Sequence, residues 1–383
     1  MQQLLIFEPA APPADPLEAQ LRGLPKIDLH AHLSGCLRLS TVEQLIRDGH
    51  LEVPKSAGRN LTGALVFQSR AHSYAASFQP WSQILNKIME IPDVVSRLLL
   101  ELAEDFSRDG VVYSEVRVSP RVPLTNGEIH RFLKVIDEAV TEARRRFPLD
   151  LRIILGFTRH SFYHLSPESQ DHSVATILHA AEPYRGRTIV GFDLWGNEER
   201  HPPREFERVF RPIRDANYPL TIHAGEVYSA SFIRDAIQIL ACRRLGHATA
   251  IVKDNALFEL IRQHQILIEV CLTSNWVTGV VDNLSSHPLK AMIAERLPVS
   301  LCTDNTLIYN TCLSREVAKA LRLRLIRPFE VPGLFRAAAQ HIFGPTGLRA
   351  GLLDRVERAY TPQILAQMVD TLTEEGPGGQ QMV

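Results

Sequence analysis

Eight short apolar stretches recur along the chain, each about as long as a β-strand and each followed by a turn-forming or polar segment. They occupy residues 26–33, 111–119, 151–158, 188–196, 219–226, 243–250, 266–274 and 298–305. Their side chains are almost continuously apolar, with little alternation between apolar and polar positions. This pattern is typical of parallel strands that are buried on both faces of a sheet.

The segments between these stretches are long enough for helices, and residues 126–147 show the helical period clearly. Their apolar positions share one face: Ile129, Phe132, Leu133, Val135, Ile136, Val140 and Ala143. A strand and helix repeated eight times predict an α/β protein with a TIM-like (β/α)8 barrel. An open, doubly wound sheet is the alternative, but the first stretch lacks the glycine-rich loop that such a sheet uses for a dinucleotide.

Domain organisation follows from the chain ends and from one long connection. A proline-rich lead-in (1–18) and a polar, glycine-containing tail (374–383) are expected to be mobile, and residues 19–373 to form a single domain. The connection after the first strand, about residues 36–109, is too long for one helix, so we expect an insertion of extra helices over the barrel mouth. Its aromatic residues are candidates for an apolar lid: Tyr74, Phe78 and Trp81.

Composition narrows the class of protein and its partners. The formal net charge is −1, which provides no general attraction for nucleic acids or acidic membranes. Five cysteines form no CxxC pair, a pattern that favours a reducing compartment. With no apparent signal peptide and no apolar run of membrane-spanning length, we expect a cytoplasmic protein. The oligomeric state stays open.

Residues that could take part in catalysis or metal binding lie at the carboxyl ends of five predicted strands. The residues concerned are His30, His32, Asp193, Gly196, His223, Glu226, His247, Asp304 and Asn305. In a (β/α)8 barrel those ends form one rim, and the active sites of this fold lie there. Because packing alone hardly accounts for five such ends at one rim, we predict an active site.

His30 and His32 are a candidate pair of metal ligands. Residues two apart in a strand point to the same face, about 6.5–7 Å from each other, and in a barrel that face is the interior. His223 and Asp304 would complete three imidazoles and one carboxylate, a set suited to one Zn²⁺ per chain with a position open to water. The alternative is that these histidines are hydrogen-bonded core residues.

Glu226 and His247 are candidates for proton transfer beside this centre. Glu226 follows His223 by three residues, where the strand enters its loop, and a carboxyl there suits a general acid or base. His247 is a further rim imidazole, able to take a proton from the attacking water or to stabilise its charge. A solvated glutamate and a structural histidine are the alternatives.

The motifs that contain these residues resemble the adenosine deaminase family. In family order they are HAHLSG, GFDLWGNE, TIHAGE, RLGHAT, CLTSN, SHPL and SLCTDN, within residues 26–310. The resemblance implies a zinc-dependent (β/α)8 hydrolase that replaces the 6-amino group of an adenine nucleoside by an oxo group and releases ammonia. It also implies roles for single residues: zinc ligands His30, His32, His223 and Asp304, the proton shuttle Glu226, and His247 as partner of the attacking water.

The resemblance further implies substrate contacts, and two of the residues concerned depart from the family pattern. The backbone N–H of Gly196 would bind purine N3. Asn305 replaces an aspartate that is common in the family, and its amide donates to purine N7 at any pH. Ser34 replaces the acidic residue associated with the ribose 5′-hydroxyl, which removes a charge that would repel a 5′-phosphate.

Three functions therefore stay open. The first is hydrolytic deamination of adenosine or 2′-deoxyadenosine. The second keeps the metal barrel but uses another substrate, such as N6-methyl-AMP, aminodeoxyfutalosine or adenine, with Arg38 as a candidate phosphate ligand. The third is a purine-binding protein without activity, which we would expect to have lost at least one ligand or the acid, whereas all are present.

Overall fold

The fold is a barrel of eight parallel strands. The computed structural model describes residues 15–52, 61–67, 69–71, 87–89, 91–120, 125–227 and 229–374. The strands are β1 (Lys26–His32), β2 (Val111–Val118), β3 (Asp150–Thr158), β4 (Ile189–Trp195), β5 (Leu220–Ala224), β6 (Arg244–His247), β7 (Leu267–Val270) and β8 (Val299–Leu301). Each pairs in parallel with its successor in the chain, from β1 to β8.

The segment after β8 closes the barrel against β1. Ala31 and Asp304 form a parallel bridge. The N–H of His32 donates to the carbonyl of Asp304, and the N–H of Asp304 donates to the carbonyl of His30, both at 2.8 Å. The predicted (β/α)8 barrel is thereby confirmed, and its closure brings two predicted site histidines beside Asp304.

Helices surround the barrel and extend beyond it at both ends of the chain. The α-helices are α1 (Pro16–Arg22), α2 (Leu39–Arg47), α3 (Leu61–Leu65), α4 (Pro92–Arg108), α5 (Asn126–Arg146), α6 (Arg159–Tyr163), α7 (Pro167–Ala181), α8 (Glu207–Asp215), α9 (Ala230–Gln238), α10 (Ala256–His264), α11 (Leu272–Val277), α12 (Leu289–Ala294), α13 (Leu313–Arg322), α14 (Val331–Gln340), α15 (Gly347–Ala359) and α16 (Pro362–Glu374). Short 3-10 turns occupy Leu33–Gly35, Glu182–Tyr184, Pro203–Phe206, Thr249–Lys253, Leu284–Ser286 and Pro328–Glu330.

The connection between β1 and β2 contains the extra helices that its length predicts. In its described part these are α2, α3 and α4. The three aromatic residues suggested as a lid, Tyr74, Phe78 and Trp81, lie outside the described residues. Within the part of the chain that is described, no helix combines the length and the apolar character needed to cross a membrane.

Helix α5 shows how the sequence sets a helix boundary. The side chain of Thr125 accepts from the N–H of Glu128, and the carboxylate of Glu128 accepts from the N–H of Thr125 at 2.8 Å, which is a capping box. The predicted apolar face packs inward, with Ile129, Leu133 and Ile136 fully buried.

The last three strands end earlier than predicted. Left-handed backbone conformations, which do not continue a strand, occur at His247, the last residue of β6, with a φ of 66°, and at Asp304, beyond the end of β8, with a φ of 63°. After β7, residues predicted as strand form helix α11 instead. The N–H of Thr273, near the start of that helix, is bound by the Glu316 carboxylate at 3.0 Å. A local pattern of apolar residues cannot predict tertiary contacts of this kind.

Candidate metal centre and active site

Four predicted ligands meet at the carboxyl end of the barrel. One ring nitrogen of each of His30, His32 and His223 lies within 4.8 Å of the others. The Nε2 atoms of His32 and His223 are 3.3 Å apart. Asp304 Oδ1 lies 3.5 Å from His32 Nε2 and 3.8 Å from His30 Nε2. The structure therefore brings three imidazoles and a carboxylate to one point, from β1, β5 and the segment after β8.

Two buried carboxylates orient the histidines. His30 Nδ1 lies 2.8 Å from Glu269 Oε2, and His223 Nδ1 lies 3.1 Å from Asp193 Oδ2. When Nδ1 donates its proton to a carboxylate, the lone pair of Nε2 is left for a metal ion. His30 Nε2 is buried and has no hydrogen-bond partner among the described residues. A buried acceptor without a donor is the expected state of a ligand whose partner is a cation.

The protonation states also suit a cation. Burial, together with the charges around them, lowers the pKa of His30 and His32 well below the usual imidazole value. Both rings are therefore neutral near pH 7 and can act as ligands. Burial raises the pKa of Asp304 to about 6 in the absence of an ion, so its carboxylate lacks sufficient positive charge nearby. A cation would supply that charge.

A chain of buried ion pairs supports the site from below. Arg117 binds Asp193 at 2.6 Å and also pairs with Glu269. Arg244 binds Glu269 at 2.8 Å and Glu115 at 2.7 Å. The side chains of these five residues are fully buried. Three carboxylates face two guanidinium groups, which leaves one negative charge.

The Asp304 carboxylate, 3.8 Å from Nε2 of the His30 ring that Glu269 contacts, adds a second negative charge. Within this group of residues two negative charges are uncompensated, and burying them would be costly without a counter-ion. A divalent cation held by the four predicted ligands would balance them. The described residues thus fit a divalent metal ion by donor type, by lone-pair orientation and by charge.

Replacing Glu269 by glutamine is expected to destabilise the protein. The substitution leaves two buried guanidinium groups short of a carboxylate, and breaking a buried pair costs about 3–5 kcal/mol. Urea unfolding of the metal-free protein should show this loss. The control is Glu142→Gln, which breaks solvent-exposed pairs with Arg145 and Arg146 and should leave the midpoint unchanged. Equal stability of the Glu269 variant and the wild type would contradict the assigned role of the cluster.

Glu226 and His247 face each other beside the four predicted ligands. Glu226 Oε1 lies 3.8 Å from His247 Nε2, and both side chains are almost completely buried. The Glu198 carboxylate accepts from the N–H groups of Gly225 and Val227, each at 2.8 Å. It therefore clamps the backbone on both sides of Glu226, and Thr249 Oγ1 donates to the Glu226 carbonyl. The Glu226 carboxyl is held at a defined position next to the imidazole cluster.

Three residues predicted to contact the substrate lie in the segments that follow β1, β4 and β8. Gly196 has a φ of 102°, a conformation that favours glycine, and its carbonyl accepts from Arg159 at 3.2 Å. Asn305 donates through Nδ2 to Asp304 Oδ1 at 2.7 Å, so one of its two amide protons already points at a proposed ligand. Ser34 is half-buried in the 3-10 turn that directly follows His32.

Arg38 does not provide the cation that a phosphate site needs. Its Nε lies 3.0 Å from the Asp105 carboxylate, and its terminal nitrogen lies 2.8 Å from Glu104. Both carboxylates belong to α4. The guanidinium charge is therefore already balanced within the insertion, and the suggestion that Arg38 binds phosphate is not supported by its contacts.

Several residues at the site were not assigned a role from the sequence. Glu269 and Arg244 interrupt apolar strands, and a charged residue in such a strand is a usable signal of a buried partner. Glu198 lies within GFDLWGNE but gave no signal of its own. The Cys271 thiol lies within 4.8 Å of ligand atoms of His30, His247 and Asp304, and burial raises its pKa well above the usual thiol value. It is therefore a neutral neighbour of the site.

A (β/α)8 barrel with imidazoles and carboxylates gathered at the carboxyl ends of its strands is an arrangement that metal-dependent hydrolases use. Residues 25–359 match the family model described as adenosine deaminase. The chain belongs to the adenosine deaminase family, within the amidohydrolase superfamily. This confirms the resemblance seen in the motifs.

Individual relatives agree with this assignment. Adenosine deaminase of Clostridium botulinum (strain 657 / Type Ba4) is 28% identical over 295 residues, 77% of this chain and 86% of that protein. Adenosine deaminase of Mycobacterium avium (strain 104) is 31% identical over 335 residues, 80% and 87% of the two chains. The crystal structure of an Arabidopsis N6-mAMP deaminase is 25% identical, with a TM-score of 0.74 over 88% of this chain and 99% of that one. The protein is a hydrolytic deaminase.

Proposed function

We propose that this deaminase binds one Zn²⁺ and converts adenosine and 2′-deoxyadenosine to inosine and 2′-deoxyinosine, with release of ammonia. The observation that carries the proposal is the position of the Glu226 carboxyl, 3.8 Å from His247 and beside three imidazoles and a carboxylate. A proton donor and a site for an activated water then lie on the same side of a bound purine. Such an arrangement suits attack of water on C6 with protonation of N1.

The proposed ligands are His30, His32, His223 and Asp304. Three nitrogen ligands and one oxygen ligand favour zinc over magnesium or calcium, which prefer oxygen ligands only. When bound, zinc acts as a Lewis acid that makes a water molecule acidic enough to be a nucleophile at neutral pH.

Residues of the chain perform the proton transfers. Glu226, protonated at its carboxyl group, donates to N1 of the purine ring, which draws electron density away from C6. His247 faces the oxygen that attacks C6 and fixes its direction. The Glu226 carboxylate then takes the proton of the hydroxyl group now on C6 and passes it to the amino nitrogen, which leaves as ammonia. The ring is left with a 6-oxo group, and the next attacking water returns a proton to Glu226. Gly196 and Asn305 are proposed to hold N3 and N7 of the purine.

Nucleosides are the substrate class that the contacts of Arg38 favour. The candidate cation for a 5′-phosphate, Arg38, is occupied by Asp105 and Glu104. The curated relatives from C. botulinum and M. avium are both named adenosine deaminase. Two observations favour a phosphorylated substrate: Ser34 beside β1 is neutral, and the Arabidopsis relative is named an N6-mAMP deaminase. N6-methyl-AMP is therefore the second candidate.

A substrate panel distinguishes the two candidates. The zinc-loaded protein is assayed by ultraviolet absorbance and by ammonia release with adenosine, 2′-deoxyadenosine, AMP, N6-methyl-AMP, aminodeoxyfutalosine and adenine. We expect the highest kcat/KM for adenosine or 2′-deoxyadenosine. A higher kcat/KM for N6-methyl-AMP would establish the second candidate, and no turnover of any of the six would contradict the proposal.

Ser34→Asp is expected to increase the preference for nucleosides over nucleotides. A carboxylate at this position repels a 5′-phosphate, and a repulsion of about 1–2 kcal/mol between partly screened charges corresponds to roughly a tenfold change in the ratio of kcat/KM for adenosine to that for AMP. Ser34→Ala is the control, because it removes the hydroxyl without adding charge. An unchanged ratio in the aspartate variant would contradict the placement of Ser34 near the 5′ position.

A further inference from the structure

A buried hydrogen-bond chain runs from the backbone of α12 to His247. The N–H of Leu289 donates to Nδ1 of His287 at 3.0 Å. His287 Nε2 lies 3.1 Å from Asn275 Oδ1, and Asn275 Nδ2 lies 3.1 Å from His247 Nδ1. The side chains of His287, Asn275 and His247 are 2%, 0% and 1% exposed, so water does not compete for these bonds.

The hydrogen bond from the N–H of Leu289 fixes which atom donates in each of the other bonds of the chain. A backbone N–H can only donate, so Nδ1 of His287 is an acceptor and carries no proton. Burial lowers the pKa of His287 to about 3, so the ring is neutral and its one proton sits on Nε2. That proton requires the oxygen of the Asn275 amide, and the amide NH₂ is therefore turned toward His247. Nδ1 of His247 accepts a hydrogen bond from this NH₂ group and therefore carries no proton.

We infer that Asn275 and His287 are positioning residues that fix His247 in the tautomer with its proton on Nε2, the nitrogen that faces Glu226. His247 then offers a hydrogen-bond donor to the reacting oxygen. This inference rests on the proposed function for its catalytic meaning, but the tautomer itself is a property of the folded chain. It gives the motifs CLTSN and SHPL a physical role, because Asn275 ends the first and His287 lies in the second.

The consequence for the reaction is a choice between two roles of His247. A neutral ring with a bare Nε2 takes a proton from the attacking water. A ring with a protonated Nε2 stabilises the negative charge that develops on that oxygen. The hydrogen-bond chain selects the second role, since the only bare nitrogen of His247 already accepts from Asn275. Proton uptake is then left to the Glu226 carboxylate.

The tautomer is measured directly by nitrogen NMR. The full chain is labelled with ¹⁵N-histidine, and long-range ¹H–¹⁵N correlations are recorded with and without zinc at neutral pH. The signals of His247 are assigned by their absence in His247→Gln. We expect a bare Nδ1 and a protonated Nε2 for His247, and the same pattern for His287. A proton on Nδ1 of His247, or a mixture of both tautomers, would overturn the inference.

Asn275→Asp replaces the amide donor to His247 by an acceptor, in a side chain of nearly the same size. A carboxylate accepts from both neighbours, so the proton of His247 is expected on Nδ1 in the same spectra. Thr278→Val is the control: Thr278 is buried just after the same helix, α11, and donates only to the carbonyl of Ser274 at 2.8 Å. It should leave the His247 signals in place. An unchanged tautomer in Asn275→Asp overturns the inference.

A pair of substitutions at His287 tests the effect on catalysis. His287→Leu removes the donor to Asn275, frees its amide to rotate, and is expected to lower kcat about tenfold with little change in KM, the effect of one lost hydrogen bond. His287→Gln keeps an N–H donor and is expected to restore most of that loss. Equal losses in both variants would indicate packing alone and overturn the inference. Because the NMR result requires no turnover, failure of the proposed deamination would be seen separately.

Discussion

Glu226→Gln is expected to abolish turnover while leaving the metal content at that of the wild type. The amide has nearly the shape of the carboxyl group but cannot release a proton to purine N1 and recover it, so kcat should fall by about 10⁴-fold, the upper end of what a general acid or base contributes. The backbone around residue 226 should be unaffected, because Glu198 holds Gly225 and Val227 through their N–H groups. The measurement is ammonia release, combined with metal analysis of the same samples.

The control for Glu226 is Glu199→Gln, an exposed carboxylate in the segment after β4. It should retain the wild-type rate. Residual activity of Glu226→Gln near the wild-type rate would remove this residue from the reaction. Loss of metal in Glu226→Gln would instead assign it to the metal centre.

Removal of the metal is expected to stop the reaction and to lower stability together. Chelation leaves the excess negative charge of the interior cluster and Asp304 without a counter-ion. A ligand present at 100 to 1,000 times its dissociation constant stabilises the folded state by about 3–4 kcal/mol, and this should be lost in the metal-free protein. Thermal unfolding and ammonia release are followed through chelation and reconstitution.

The choice of added metal is part of this test. Zn²⁺ should restore both activity and stability, whereas Mg²⁺ should restore neither, because three of the four proposed ligands are imidazoles. A chelated protein that keeps full turnover, with metal analysis showing none bound, would contradict a metal-dependent reaction at this site.

The barrel was predictable because its strands are buried on both faces and are therefore marked by apolar stretches. The clustering of His30, His32, His223 and Asp304 was also predictable, since parallel strands bring their carboxyl ends to one rim whatever the distances between them in sequence. The fold class and the position of each residue at the end of a strand were sufficient to predict this cluster. The structure confirms the fold and places these four side chains together.

Other features depend on contacts between distant segments and were not predictable. The apolar pattern predicts that the strand of β7 continues to residue 274, but the chain forms α11 there. This helix brings Asn275 to His247. The pairing of Arg38 with α4 rests on residues more than sixty positions away. Glu269 gave a signal as a charge within an apolar strand, but its partner His30 could be identified only once the barrel had closed.

Anomalous X-ray scattering from crystals of the zinc-loaded protein tests most directly whether the proposed ligands bind zinc. Data collected on both sides of the zinc absorption edge should show one peak per chain. This peak should lie about 2.0–2.2 Å from a nitrogen of His30, His32 and His223 and from an oxygen of Asp304. A peak elsewhere in the chain, or no peak from protein saturated with zinc, would contradict the account.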